Sequence, residues 1–183
     1  MSTTVIVLAV VAVIAIYFIS VYNRLVGLRN NRENAFSNIS VQLKQRYDMI
    51  PQLVATVKGY ADHEKELLQK VTEARAAAMG ANTINDTIAA DNQLSSALAG
   101  LRVSLEAYPD LKANEQFSML QAQLEGTENR INEGRKLYNE QVRTYNIMVR
   151  SFPMNLLAGF FGFQQKQGFA ASEGAQNAPT VQF

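Results

Sequence analysis

The chain has 183 residues, with 17 Lys and Arg against 16 Asp and Glu, a net charge of +1, and the two signs interspersed. No basic stripe of the kind a nucleic-acid binder needs is present. The lack of cysteine excludes disulfides, thiolate zinc sites and a cysteine nucleophile, and one histidine is too little for a histidine pair or a Ser-His-acid triad.

The first element is the run Val5–Tyr22, VIVLAVVAVIAIYFISVY, which carries no charge. Roughly 18–20 apolar residues in an α-helix cross a bilayer core of about 30 Å. Residues 1–23 therefore read as a membrane anchor, with Val5, Leu8, Val11, Ile14, Phe18 and Tyr22 facing lipid. A secretory signal would have basic residues before the run and small ones after it. Here the leader is Met1-Ser2-Thr3-Thr4 and the end is bulky, which favours a retained span over a cleaved signal or a buried soluble helix. Arg24, Arg29 and Arg32 follow the span, and the positive-inside rule then puts the N-terminus outside and the large domain in the cytoplasm.

Residues 24–152 form the expected helical domain. The series Phe36, Ile39, Leu43, Tyr47, Ile50, Val54, Val57, Ala61, Glu64, Leu68, Val71, Arg75, Ala78 steps by three or four, and only Glu64 and Arg75 interrupt its apolar character. The register passes through Pro51 without a reset. One long bent helix from the anchor to about Met79 is thus favoured over a turn at Asp48-Met49-Ile50 with Pro51 opening a new helix. Gly80–Asp86 is the clearest loop. A second helix presents Ile88, Asp91, Leu94, Leu98, Leu101, Leu105 and Tyr108 and stops before Pro109. A third begins near Ala113, with the seam Phe117, Leu120, Leu124, Thr127, Ile131, Gly134, Tyr138, Gln141, Tyr145, Met148, Phe152. Its opposite face, with Glu125, Glu128, Arg130, Glu133, Arg135, Glu140 and Arg143, reads as solvated. No strand pattern occurs. The expected fold is all-α: a single N-terminal transmembrane helix followed by an antiparallel bundle of three or four long helices.

Whether one loop or three reverse the chain, the last helix returns to the membrane end. After it comes the aromatic segment 153–169. Together with Phe152, the residues Leu156, Leu157, Phe160, Phe161 and Phe163 form a candidate assembly or membrane interface. Packing into the end of the bundle is the plainer alternative, and Gly159 and Gly162 suggest flexibility. Residues 170–183 read as a flexible tail. His63-Glu64-Lys65-Glu66-Leu67 lacks the second histidine of a zinc-protease helix, and Asp62/Glu66 is a carboxylate pair of any charged helix. Neither points to a catalytic, cofactor or metal site.

The wording of several segments is more specific. These are Tyr22–Asn30, Asn34–Val54, Val57–Glu64, Glu106–Asn114, Thr127–Ile131, Tyr145-Asn146, Phe152-Pro153 and Phe161-Gly162-Phe163. On them the chain resembles the LemA family, with Phe36 where that family often has tryptophan. The resemblance implies a bacterial single-pass inner-membrane protein with a four-helix soluble part, which favours a true turn at one or both prolines. It brings no catalytic residues. The expected function is a non-enzymatic scaffold, homo-oligomeric and in contact with membrane lipids, with no cofactor and no nucleic acid. The alternative is an adaptor or sensor whose charged helix faces dock a membrane protease or signalling protein.

Overall fold

The structure, a computed structural model, describes residues 2–60 and 64–169. His63, Asp62, Ala61 and the tail 170–183 lie outside the described residues. The described residues form six helices and no strand: α1 (Thr3–Lys58), α2 (Lys65–Met79), α3 (Ile84–Leu105), α4 (Pro109–Lys112), α5 (Glu115–Arg150) and α6 (Met154–Phe160). The all-α reading holds.

Two compact units emerge: Ala35–Lys136, and Met1–Asn34 together with Leu137–Phe183. In the first, α2 packs on α3. Contacts pair Ile39 with Gly134, Gln42 with Arg130, and Tyr47 with Arg75, so successive long helices run antiparallel, four in all. The periodic seam is the core: Ile39, Leu43, Tyr47, Ile50, Val57, Leu68, Val71 and Ala78 are buried, as are Ile88, Leu94, Leu101, Leu105, Phe117, Leu120 and Ile131.

α1 runs straight through Pro51, as the unbroken register implies. A proline inside a helix costs ~3 kcal/mol, but Met49, Ile50, Leu53 and Val57 are all buried around it, and each contributes about 1.5–3 kcal/mol. The expectation of one helix to Met79 is nevertheless corrected. The helix ends at Lys58, where Gly59 and Tyr60 close with tight bonds to the carbonyls of Thr56 and Val57. Glycine is the weakest non-proline helix former, and this one is exposed. The turn implied by a four-helix domain therefore exists, eight residues beyond the proline.

The loop expected over Gly80–Asp86 is shorter than that. Thr83 caps α3 by accepting the Asp86 amide at 3.1 Å, while its hydroxyl donates to the Asp86 carboxylate at 2.7 Å. After α3, Pro109 starts the single turn α4, and Asn114 caps α5 by accepting the Phe117 amide at 2.9 Å.

Candidate functional site

The N-terminal part of α1 is the one helix among the described residues long and apolar enough to cross a membrane. Val5, Leu8, Val11, Ile14 and Phe18 are all exposed, and no side chain of the fold covers them. The first residues drawn into a core are Val21 and Leu25, which pack with Tyr145, Val149, Leu157, Ala158 and Phe163. The end of α5, the short α6 and the turn after it thus close around the end of the apolar run. Tyr17 donates from its hydroxyl to the Met154 sulfur at 3.9 Å, and the Tyr22 ring meets Phe161 and Phe163 edge-on at 5.0 and 6.0 Å.

This arrangement divides the six residues of the candidate interface. Leu157 and Phe163 belong to the core, and Phe161 covers Tyr22 while staying partly open. Phe152, Leu156 and Phe160 remain 80%, 65% and 83% exposed. The sorting follows from how α6 stops. Gly162 takes a positive φ of 72°, the Phe163 amide reaches back to the Ala158 carbonyl, and the Gly162 amide reaches the Gly159 carbonyl. That is a Schellman stop, whose left-handed residue glycine occupies without strain. It turns Phe163 inward. Gly162 is therefore a fixed corner and not a flexible joint.

Beyond the corner, residues 164–169 run extended along α5, fastened at two points. Asn146 accepts the Lys166 amide at 2.9 Å and donates to the Lys166 carbonyl at 2.8 Å. Asn139 does the same for Phe169, at 2.8 and 3.0 Å. Seven helical residues rise about 10.5 Å and three extended ones about 10 Å, so the two spacings match. Tyr138 adds an edge contact to Phe169 at 5.5 Å. Gly168 is required by the closeness of the strap, since a Cβ there would meet the Asn139 carboxamide.

Of the three orientation arginines, Arg24 and Arg29 are exposed. Arg32 is buried, with its guanidinium over the Tyr145 ring at 5.7 Å and one nitrogen 3.0 Å from Glu33. Its charge stands where the positive-inside pattern needs it, but its side chain is also a packing element.

In the four-helix unit, the polar interruptions of the seam turn out to be pairing sites. Arg75 donates to the Tyr47 carbonyl at 2.7 Å, and Glu64 accepts from the Tyr108 hydroxyl at 3.1 Å. Asp91 is fully buried and binds two guanidinium groups, those of Arg46 and Arg135. Arg46, itself buried, also donates to Glu128 and to the Ser95 hydroxyl, the latter at 3.2 Å. Two cations and two anions thus balance. Burial pulls the Arg46 guanidinium below its ordinary range, with Glu128 opposing, and burial pulls Arg135 the same way. Arginine stays charged regardless. The expectation that Glu128 and Arg135 lie on a solvated face is thereby corrected: α3 and α1 reach them first. Next to the cluster, an apolar cleft of about 320 Å³ is lined by Leu98, Leu105, Phe117 and Leu124, and the ion pairs Arg102–Glu125 and Lys112–Glu106 flank it.

The sequence reading missed Arg46, Asn139 and Asn146 as structural keys. The available signals were an aspartate inside an apolar seam and two asparagines at heptad spacing.

Comparison with known proteins gives a match of the LemA family to residues 35–183. The chain is 26% identical to Protein LemA of Metamycoplasma hominis, over 86% of this chain and 73% of that protein. It is 25% identical to Magnetosome protein MamQ 2 of Paramagnetospirillum magneticum, over 89% of this chain and 69% of the relative. To Magnetosome protein MamQ of Magnetospirillum gryphiswaldense it is 22% identical, over 81% and 64%.

Proposed function

This chain belongs to the LemA family, and from that premise we propose that it is a non-enzymatic, membrane-anchored helical scaffold whose copies self-associate in the plane of a bacterial cytoplasmic membrane. The observation that carries this reading is the amount of apolar surface at one end of the unit built on the span. Residues of the run up to Ser20 are exposed, and Phe152, Leu156 and Phe160 add to them. A surface that large is covered in the working state, by lipid and by neighbouring copies. The orientation with the bundle inside is supported by more than the three arginines. Arg143, Arg150 and Lys166 sit in the same unit, and no Asp or Glu occurs in residues 1–32 or 141–169.

Cross-linking in native membranes, followed by particle sizing of the full chain in lipid nanodiscs, tests the proposal. Discrete assemblies are expected, and a strict monomer at membrane-like density would sink it. The adaptor reading retains Glu133, Lys136, Glu140 and Arg143, which stay exposed on α5. Salt-sensitive recovery of a single partner protein, abolished by reversing those charges, would favour it instead.

A further inference from the structure

We infer that the outer face of α6, with Phe152 just before it and Leu156 and Phe160 within it, is an in-plane membrane contact that lies in the headgroup layer of an anionic bilayer. The inference rests on the reading of α1 as a span and deepens it from one point of attachment to two.

Position carries the argument first. α6 is fastened to the end of the apolar run itself, through Tyr17–Met154 and Tyr22–Phe161. Tyrosines at that end of a span mark the membrane–water interface. Whatever depth Tyr17 and Tyr22 take, α6 takes with them. The inner side of α6 is used up, since Leu157 and Ala158 are buried against Val21 and Leu25. Phe160 and Leu156 are on the other side, and Phe152 precedes them, all largely uncovered. An apolar face on a short helix at that level is the geometry of an interfacial helix.

Charge carries it second. The first acidic residue after the span is Glu33, and the last before the strap is Glu140. Between those limits the unit offers Arg24, Arg29, Arg143, Arg150 and Lys166 to solvent. Basic residues near the surface are each attracted to anionic lipid by about 1 kcal/mol. A second copy of this chain would bring the same positive margin and be repelled by it, so lipid is the better-matched occupant.

The chain contains no tryptophan and no cysteine, so a single introduced residue of either kind is a unique probe. Full-length Phe160→Trp, Ile14→Trp and Leu137→Trp are reconstituted in phosphatidylglycerol/phosphatidylcholine vesicles. Some of the vesicles carry bromines high on the acyl chain and others low. Phe160→Trp is expected to emit at shorter wavelength and to lose most of its fluorescence to the shallow bromines. Ile14→Trp is expected to be quenched by the deep ones and Leu137→Trp by neither. Quenching of Ile14→Trp with Phe160→Trp unquenched overturns the α6 contact and leaves the span intact. Phe160→Cys that forms disulfides between copies while escaping lipid quenching assigns the face to a second copy and also overturns it. An unquenched Ile14→Trp overturns the span itself.

Discussion

The Arg46 guanidinium and the Asp91 carboxylate pair with their side chains only 1% and 0% exposed, deep between α1 and α3. Each charge is held by the other side's hydrogen bonds, with Glu128, Ser95 and Arg135 completing the set. Breaking such a pair by removing one partner costs about 3–5 kcal/mol, because the surviving charge stays buried and uncompensated. Asp91→Ala is therefore expected to lose that much in urea unfolding of the full chain in detergent. Replacing Arg46, Asp91 and Arg135 together by Met, Leu and Met should recover most of it. A triple variant as weak as Asp91→Ala alone would contradict this account.

Tyr47 lies beside the cluster, and its buried hydroxyl has no hydrogen-bond partner among the described residues. Tyr47→Phe should thus hold stability at pH 7 or raise it by up to about 1 kcal/mol. Burial raises the Tyr47 phenol above its ordinary value of 10.0, while Arg46 and Arg135 pull it back. The unfolded chain releases this proton first, so the contribution is intact below pH 10 and is lost as pH rises from there towards the folded value. The Phe variant should show a shallower decline in chemical stability measured from pH 9 upward. Tyr138 and Tyr145 are raised by burial too, so a residual slope remains.

Gly134 faces Ile39 so closely that an added Cβ would lie 2.8 Å from the isoleucine Cγ1. Gly134→Ala is expected to lower stability by about 1–3 kcal/mol through overpacking, despite the better helix propensity of alanine. Combined with Ile39→Ala, the loss should be smaller than the sum of the two single variants. A thermal double-mutant cycle reads the coupling, and strict additivity would rule it out.

The strap predicts a local effect. Asn146→Leu removes two hydrogen bonds to Lys166, worth about 1 kcal/mol each. Amide exchange at Lys166 should accelerate roughly 30-fold, and trypsin should cut there sooner, with the global unfolding midpoint little changed. Gly168→Ala should loosen the Phe169 end in the same way.

Much of this fold was legible in the sequence because long amphipathic helices announce themselves by period alone. Nearly every residue of the three seams is buried or half-buried, and the passage through Pro51 followed from a register that did not reset. The break at Gly59 was not legible, because the seam keeps the same phase on both sides of it and a turn between antiparallel helices need not shift a heptad count. The aromatic segment could be recognised as a site but not divided. Whether Phe163 or Phe160 points inward depends on the left-handed corner at Gly162, and hydrophobicity says nothing of that. Arg135 read as a surface charge because its partner, Asp91, lies 44 residues away.

The two-unit division has a consequence for how the molecule is made. Ala35–Lys136 is one unbroken stretch, while its companion unit is assembled from both ends of the chain. On a ribosome adding ~5–20 residues per second, Val21 and Leu25 emerge well before Tyr145, Val149 and Phe163, the side chains that will cover them. The four-helix stretch can complete itself in that interval. Closure of the membrane-proximal unit is thus the last event of synthesis, and a chain truncated before residue 145 would carry a finished bundle on an anchor whose first core residues remain bare.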